Sequence, residues 1–104
     1  MRKTKVTFSA EKLAYSSELM RALAHPLRLK ILEFIDKHGT IHVNMIYNTM
    51  NLEQSITSQH LRILRLAGVV NTERDGKYVL YSIDYPTVEK AQFAVNKFLA
   101  SSGF

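Results

Sequence analysis

The sequence lacks cysteine altogether and contains only four glycines and two prolines among its 104 residues. Without cysteine there are no disulfides, no thiolate metal sites and no thiol redox switches, which agrees with a reducing compartment. So few glycines leave no glycine-rich loop to hold the phosphates of a nucleotide. No nucleophile with a neighbouring base and no pair of catalytic carboxylates is recognisable either. The sequence therefore predicts a protein that is not an enzyme and that carries no cofactor.

Long apolar runs are also missing. Residues 1–5 are basic, but the segment that follows has no continuous apolar run of the kind that a signal peptide needs, and no stretch reaches membrane-spanning length. There is no internal repeat and no linker rich in proline or glycine. We therefore expect a cytoplasmic protein without a membrane partner, folded as a single domain over residues 1–104.

Basic residues outnumber acidic ones. Fourteen Lys and Arg residues against nine Asp and Glu give a formal net charge of +5 and a pI near 9.6. Such an excess favours polyanionic partners such as nucleic acid or an anionic lipid surface. It is equally compatible with a basic surface that only keeps a small domain in solution. The location of the charges has to decide between these two interpretations.

The spacing of apolar residues predicts a mainly helical α+β chain with the order α-α-α-α-β-β-α. His25-Pro26 marks a boundary between helices, because proline suits the first turn of a helix and disfavours helical geometry in the residue before it. Gly68 predicts a helix end, and Asp75-Gly76 between extended runs predicts a hairpin. The predicted elements are a helix at 8–24, a helix at 26–37, a helix at 43–50, a helix at 54–67, a hairpin at 69–83 and a helix at 86–100. The third and fourth helices form a helix-turn-helix, and the hairpin forms its wing.

The fourth helix has the residue types of a DNA-reading surface. On a helical wheel, the polar face consists of Ser55, Ser58, Gln59 and Arg62. The opposite face consists of Ile56, His60, Ile63, Leu64 and Ala67. Small hydroxyls allow the backbone to approach a major groove, and amide and guanidinium groups form paired hydrogen bonds with base edges. A merely solvated helix face would more typically carry Glu and Lys, so this face favours a DNA contact.

The predicted hairpin offers a second contact. Arg74 and Lys77 flank its Asp75-Gly76 tip, where cations suit phosphates or an adjacent minor groove. Charges at a hairpin tip also protect it from edge-to-edge pairing, which is the alternative explanation.

Three segments together resemble the ArsR/SmtB family of bacterial winged-helix repressors. They are Ala22–Leu32 (ALAHPLRLKIL), Gln54–Val70 (QSITSQHLRILRLAGVV) and Arg74–Tyr81 (RDGKYVLY). The resemblance implies a repressor that binds double-stranded DNA as a symmetric homodimer, with each fourth helix in a major groove of a palindromic operator. The residues that it places at DNA are Gln54, Ser55, Thr57, Ser58 and Gln59, although the helical wheel turns Thr57 toward the core.

The resemblance also implies a dimer interface formed by the first and last helices. These helices carry more apolar surface than a small core needs, which independently favours burial against a second copy. The alternative is that the same side chains complete the core of the monomer. The predicted interface residues are Leu13, Tyr15, Leu19, Val88, Phe93, Val95 and Phe98.

No metal site is predicted. The thiolate sensors of the family carry a Cys-Val-Cys-type motif at the start of the third helix, where this chain has no cysteine, and the zinc sensors use Asp and His on the last helix, where it has no histidine. The four histidines are His25, His38, His42 and His60, of which His25 is expected to cap or turn a helix and His60 to lie in the core. A small molecule or a partner protein stays open as the effector.

A winged-helix module that binds another protein and not DNA is the alternative function. Such modules often carry acidic or apolar residues on the equivalent helix, which the Ser, Gln and Arg face does not match. Leu66 favours this alternative, because the wheel places it among the polar residues.

Overall fold

The computed structural model describes residues 18–101, apart from the side chains of residues 95 and 98–101. Five helices and three strands follow one another along these residues, which confirms the mainly helical winged helix-turn-helix class. In chain order they are α1 (residues 18–23), α2 (Pro26–His38), β1 (Thr40–His42), α3 (Val43–Thr49), α4 (Gln54–Leu66), β2 (Val70–Asp75), β3 (Tyr78–Ile83) and α5 (Tyr85–Ser101).

The strands form one antiparallel sheet in the order β1-β3-β2. Strands β2 and β3 are the predicted hairpin, with Val70 opposite Ile83 at its base and Asp75 opposite Tyr78 at its tip. Strand β1 was not predicted. It has three residues, too few for an alternating pattern, and it exists because Ile41 pairs across the sheet with Tyr81. This strand joins the wing to the start of α3.

The helix ends follow local rules that the sequence indicates. The ring of His25 accepts a hydrogen bond at Nδ1 from the Leu27 N–H at 3.2 Å and so caps α2, as expected, with Pro26 in the first turn. Helix α4 ends at Leu66, and Gly68 has a φ of 83°, which confirms its predicted left-handed conformation. The start of α2 and the end of α4 therefore lie where the local chemistry of the sequence indicates.

The turn of the helix-turn-helix depends on Asn51. This residue has a φ of 56°, in the left-handed region that asparagine tolerates better than most residues with a Cβ atom. After it, the Leu52 N–H donates to the Tyr47 carbonyl at 2.8 Å, and the Leu52 side chain packs against the core. The turn thereby fixes the angle at which α4 leaves α3.

The core lies between the helices and the inner face of the sheet. Its fully buried side chains are Ile31, Ile35, Ile46, Leu61, Leu64, Val69 and Thr57. Leu19, a predicted dimer-interface residue, is only 5% exposed and belongs to this core. That prediction is wrong for a physical reason: α1 needs an anchor on its own protomer, and Leu19 supplies it.

Across residues 18–101, no helix combines the length and the apolar character that crossing a bilayer requires.

Candidate nucleic-acid interface

Helix α4 packs on the rest of the protein through one narrow face. Thr57, Leu61 and Leu64 are fully buried at spacings of four and three residues, so the opposite face of the helix points outward. Burial of each leucine contributes roughly 1.5–3 kcal/mol. The helix is thus firmly attached, and its outer side chains are presented from a fixed backbone.

The outward face carries the polar residues that the helical wheel selects. Ser55, Ser58, Gln59 and Arg62 are all exposed, and Gln54 is exposed at the first position of the helix. Because these positions follow the i, i+3, i+4 and i+7 spacing, Ser55 to Arg62 form one strip about 10 Å long. The strip is free of acidic side chains, and its hydroxyl, amide and guanidinium groups can meet base edges.

Thr57 does not belong to this strip. It is fully buried, and its hydroxyl donates to the Glu53 carbonyl at 2.8 Å. The expectation that Thr57 contacts DNA is therefore wrong in this structure, since a side chain without accessible surface cannot reach a base. The helical wheel, which turns Thr57 toward the core, gave the better indication.

Two isoleucines of α4 lie where they were not expected. Ile56 and Ile63 were assigned to the buried face, but they are 42% and 40% exposed, and Leu66 is 66% exposed. The assignment placed the buried face opposite the polar face of the helical wheel, where both isoleucines fall. The buried arc is instead centred on Thr57, Leu61 and Leu64, which leaves the two isoleucines on its margin.

The N-terminal end of α4 is also open to a ligand. Glu53 occupies the N-cap position without a hydrogen bond from its side chain to the helix, and the first turn contains no acidic residue. Glu53, Gln54, Ser55 and Ser58 line a shallow depression at this end. The uncapped N–H groups and the positive end of the helix dipole attract an anion such as a phosphate, although the neighbouring Glu53 carboxylate opposes it.

The wing carries its cations at the tip. Gly76 and Lys77 form the two-residue loop, with a φ of 64° at Gly76. A positive φ at the first loop residue only is the pattern of a type II′ turn, so the turn lies one residue later than the predicted Asp75-Gly76. Arg74 and Lys77 are both exposed. The Lys77 ammonium lies 5.6 Å from the ring centroid of Tyr78.

A stacked pair supports the base of this loop. The rings of Tyr78 and His42 are 4.7 Å apart and 16° from parallel. Because His42 ends β1 and precedes α3, the stacking connects the wing tip to the helix-turn-helix. The wing is thereby positioned relative to α4 through α3.

A cluster of basic side chains fixes the other side of α4. The Arg28 guanidinium donates from Nε to the Ala22 carbonyl at 2.7 Å and from Nη2 to the Arg21 carbonyl at 3.1 Å. Its Nη1 lies 3.4 Å from Nδ1 of His60, and the His60 ring is 4.8 Å from the ring of His25. Arg28 therefore bridges the end of α1 and the middle of α4.

His60 was expected to lie in the core, but it is only half-buried and belongs to this cluster. Desolvation by burial lowers the pKa of His60 below its ordinary value, and electrostatic interactions with His25 and Arg28 lower it further. The neutral ring that results can accept a hydrogen bond from Arg28 at Nδ1. Protonation of His60 would place a further positive charge against the Arg28 guanidinium and so weaken this contact.

A different surface carries the predicted dimer residues. A groove of about 660 Å³ runs between α1, α2 and α5, and Val88 lines it together with apolar residues such as Met20 and Leu23. Phe93 on α5 is 67% exposed. The positions of Leu13 and Tyr15 and the side chains of Val95 and Phe98 lie outside the described residues. Val88 therefore lines the groove and Phe93 is exposed on the same helix, whereas Leu19 is buried.

The histidines in the described part of the chain have partners other than a metal. His38 contacts the Phe34 ring and places Nδ1 2.9 Å from the Phe34 carbonyl, while His42 stacks on Tyr78. Among residues 18–101, no three His, Cys, Asp or Glu side chains come together as a metal-binding group.

Comparison with known proteins assigns the family. Residues 25–72, which include α2, the helix-turn-helix and the first part of the wing, match the model described as "Bacterial regulatory protein, arsR family". The transcriptional repressor PagR of Bacillus anthracis is 39% identical over 87 residues, covering 79% of this chain and 87% of PagR. The chain belongs to the arsR family.

Solved structures agree with this assignment of an arsR-family protein. The crystal structure of PagR matches with a TM-score of 0.68 at 36% identity, covering 83% of this chain and 99% of that one. A structure described as the homodimeric winged helix-turn-helix DNA-binding domain of a Mycobacterium bovis protein matches with a TM-score of 0.75 at 24% identity, covering 96% and 91%. The second match shows the shared fold alone.

Sequence reasoning missed two residues that shape the site of this arsR-family chain. Arg28 was quoted within a motif but received no role, because its contact with His60 spans 32 positions of the sequence. Ile56 was assigned to the core because it is apolar. Its exposure follows from the rotation of the helix, which places Thr57, Leu61 and Leu64 against the core. Tertiary packing sets that rotation, so the sequence carried no local signal for it.

Proposed function

We propose that this arsR-family chain is a transcriptional repressor that binds a palindromic operator in double-stranded DNA as a homodimer. The observation that carries the proposal is the strip of Ser55, Ser58, Gln59 and Arg62, exposed on a helix whose opposite face is anchored by Leu61 and Leu64. A recognition helix needs both properties, because base contacts require side chains that are accessible and held in register.

In this proposal the strip reads bases and the wing binds the backbone. Gln59 suits paired hydrogen bonds with adenine, and Arg62 suits guanine. The serines allow close approach to the groove, and the N-terminus of α4 with Gln54 contacts a phosphate. Arg74 and Lys77 at the wing tip contact phosphates beside the major groove or in the neighbouring minor groove.

The homodimer is proposed to form through the surface that holds the α1–α2–α5 groove. The exposed Phe93 and the apolar lining of the groove leave unburied surface on one protomer that a second copy would cover. A two-fold dimer would place two copies of α4 at a fixed spacing, which is how winged-helix dimers read palindromes. The Mycobacterium bovis protein of the same fold is described as homodimeric, which is compatible with a dimer of this chain.

Occupancy of an operator is the proposed mechanism of repression. The proposal includes no catalytic step, no cofactor and no metal, and it places the protein in the cytoplasm with its DNA partner. PagR, described as a transcriptional repressor, supports repression over activation. We also propose that the chain acts as a single winged-helix domain.

The test is binding to a duplex selected by this protein from random DNA, measured by fluorescence anisotropy beside a duplex of scrambled sequence. The double variant Ser58→Ala/Gln59→Ala should lose at least tenfold in affinity for the selected duplex, because a paired hydrogen bond to a base contributes about 1–3 kcal/mol of discrimination. Its affinity for the scrambled duplex should stay close to that of the unchanged protein.

Variants at the wing serve as the contrast. Arg74→Ala and Lys77→Ala should weaken binding to both duplexes by similar factors, since phosphates carry no sequence information. Equal losses on both duplexes for the α4 variant would contradict the recognition role of the strip.

A protein-binding module is the second candidate function. Leu66, 66% exposed beside the polar strip, is the observation that favours it. Under that alternative, the unchanged chain would not bind DNA. It would bind a partner protein, and Leu66→Ala would abolish that binding.

A further inference from the structure

The exposed Ile56 has a position that suits direct contact with DNA. It is the third residue of α4, and it is 42% exposed although its side chain is fully apolar. Helix-turn-helix proteins read bases with the N-terminal residues of the second helix. Exposure of an isoleucine in this turn leaves an apolar group at the part of α4 that would enter a groove.

Its neighbours on the helix surface are polar. Gln59, three residues later, lies about one turn further along and about 60° around the helix from Ile56, and Ser55 precedes it directly. Both neighbours are exposed. An apolar group at the edge of a hydrogen-bonding strip matches the major-groove edge of an A·T pair, which presents a donor and acceptors next to the C5-methyl group of thymine.

We propose that Ile56 contacts the C5-methyl group of a thymine in each half-site and so selects thymine at that position. This inference rests on the proposed DNA-binding function and adds a base preference to it. Cytosine has a hydrogen at C5 where thymine has the methyl group, so the contact discriminates against cytosine.

Ile63 provides a matched control within the same helix. It is the same residue type with 40% exposure, and it lies on the same flank of α4. Ile63 is seven positions later, so it lies about 10 Å further along the helix axis, too far away to contact the same base pair as Ile56. If the loss of any exposed isoleucine weakened DNA binding, Ile56→Ala and Ile63→Ala would lower the affinity equally.

The experiment compares thymine with uracil, which differs only in the missing methyl group. In the duplex selected by the unchanged protein, each symmetric pair of thymines is replaced by uracil in turn, and affinities are measured by fluorescence anisotropy. At one such pair we expect a loss of about fourfold per half-site, or about 16-fold for the dimer, from the burial of one methyl group at each contact. Ile56→Ala should bind the thymine and uracil duplexes equally at that pair.

The controls separate the outcomes. Ile63→Ala should keep the full preference for thymine, and Ile56→Val should keep most of it, because valine retains a branched apolar group. Retention of the full thymine preference by Ile56→Ala would overturn the inference, whether or not the melting temperature of the variant falls. If the protein binds the selected duplex specifically but no uracil replacement lowers its affinity, the contact by Ile56 is refuted and the proposed function is not. Failure of the chain to select any sequence from random DNA would refute the proposed function and this contact with it.

Discussion

Replacement of Lys77 by alanine should weaken DNA binding in a way that depends on salt and not on sequence. Lys77 is the second residue of the wing loop, and its exposed ammonium lies against the ring of Tyr78 with no acidic partner described for it. If the wing binds the DNA backbone, each Lys77 neutralises one phosphate. A homodimer then loses two phosphate contacts on substitution.

The expected magnitude follows from counterion release. Each neutralised phosphate contributes about 0.9 to the slope of log K against log salt, so loss of two contacts should reduce the slope by about 1.8. If the variant and the unchanged protein bind equally at 1 M salt, this change in slope lowers the affinity of the variant about 60-fold at 0.1 M salt. The same factor should apply to the selected and scrambled duplexes.

The assay is fluorescence anisotropy over a salt series on both duplexes. Lys90→Ala is the matched control, because it removes the same charge from an exposed position on α5, outside the helix-turn-helix and the wing. Its slope should stay within about 0.3 of the unchanged protein, since only contacted phosphates release counterions. An unchanged slope for Lys77→Ala, or an equal change for Lys90→Ala, would refute the assignment of the wing to phosphate contact.

Three further results are expected. Leu64→Ala should reduce the free energy of unfolding in urea by about 2–5 kcal/mol, because it removes a fully buried side chain, whereas Ile63→Ala at its exposed position should cost less than about 1 kcal/mol. Phe93→Glu should shift the protein from dimer to monomer in analytical ultracentrifugation, and a persistent dimer would contradict the proposed interface. Since the folded protein lowers the pKa of His60, the unfolded chain binds more protons below about pH 6.5, so stability should fall as the pH drops through that value. His60→Asn should flatten this decline, while His38→Asn should leave it unchanged.

Much of the fold was predictable because its signals are local. The Pro26 boundary, the glycine after α4 and the extended runs around Gly76 each act within a few residues. Strand β1 was not predictable in this way, because its three residues become a strand only by pairing with β3. The hairpin turn was placed one residue early, since Asp-Gly and Gly-Lys both suit a two-residue loop and the strand register decides between them.

The candidate site was predictable in composition and less so in orientation. The exposed Ser55, Ser58, Gln59 and Arg62 match the polar face of the wheel, because those residues share one side of the helix whatever it packs against. Thr57 shows that a residue at a position which the family uses to contact DNA can be buried in this chain. Its hydroxyl is satisfied within the helix by the Glu53 carbonyl, so it can be buried without an external partner.

Periodicity gives the angles between residues of a helix but not the direction in which the helix faces its core. Centring the buried face on the predicted set of Ile56, His60, Ile63, Leu64 and Ala67 differs by about 80° from the face centred on Thr57, Leu61 and Leu64, at 100° per residue. The true rotation depends on distant contacts, among them the one between Arg28 and His60. That rotation moves Ile56 from the core to the margin of the polar strip. A binding site on a helix can therefore gain its apolar contacts from residues that a wheel alone assigns to the interior.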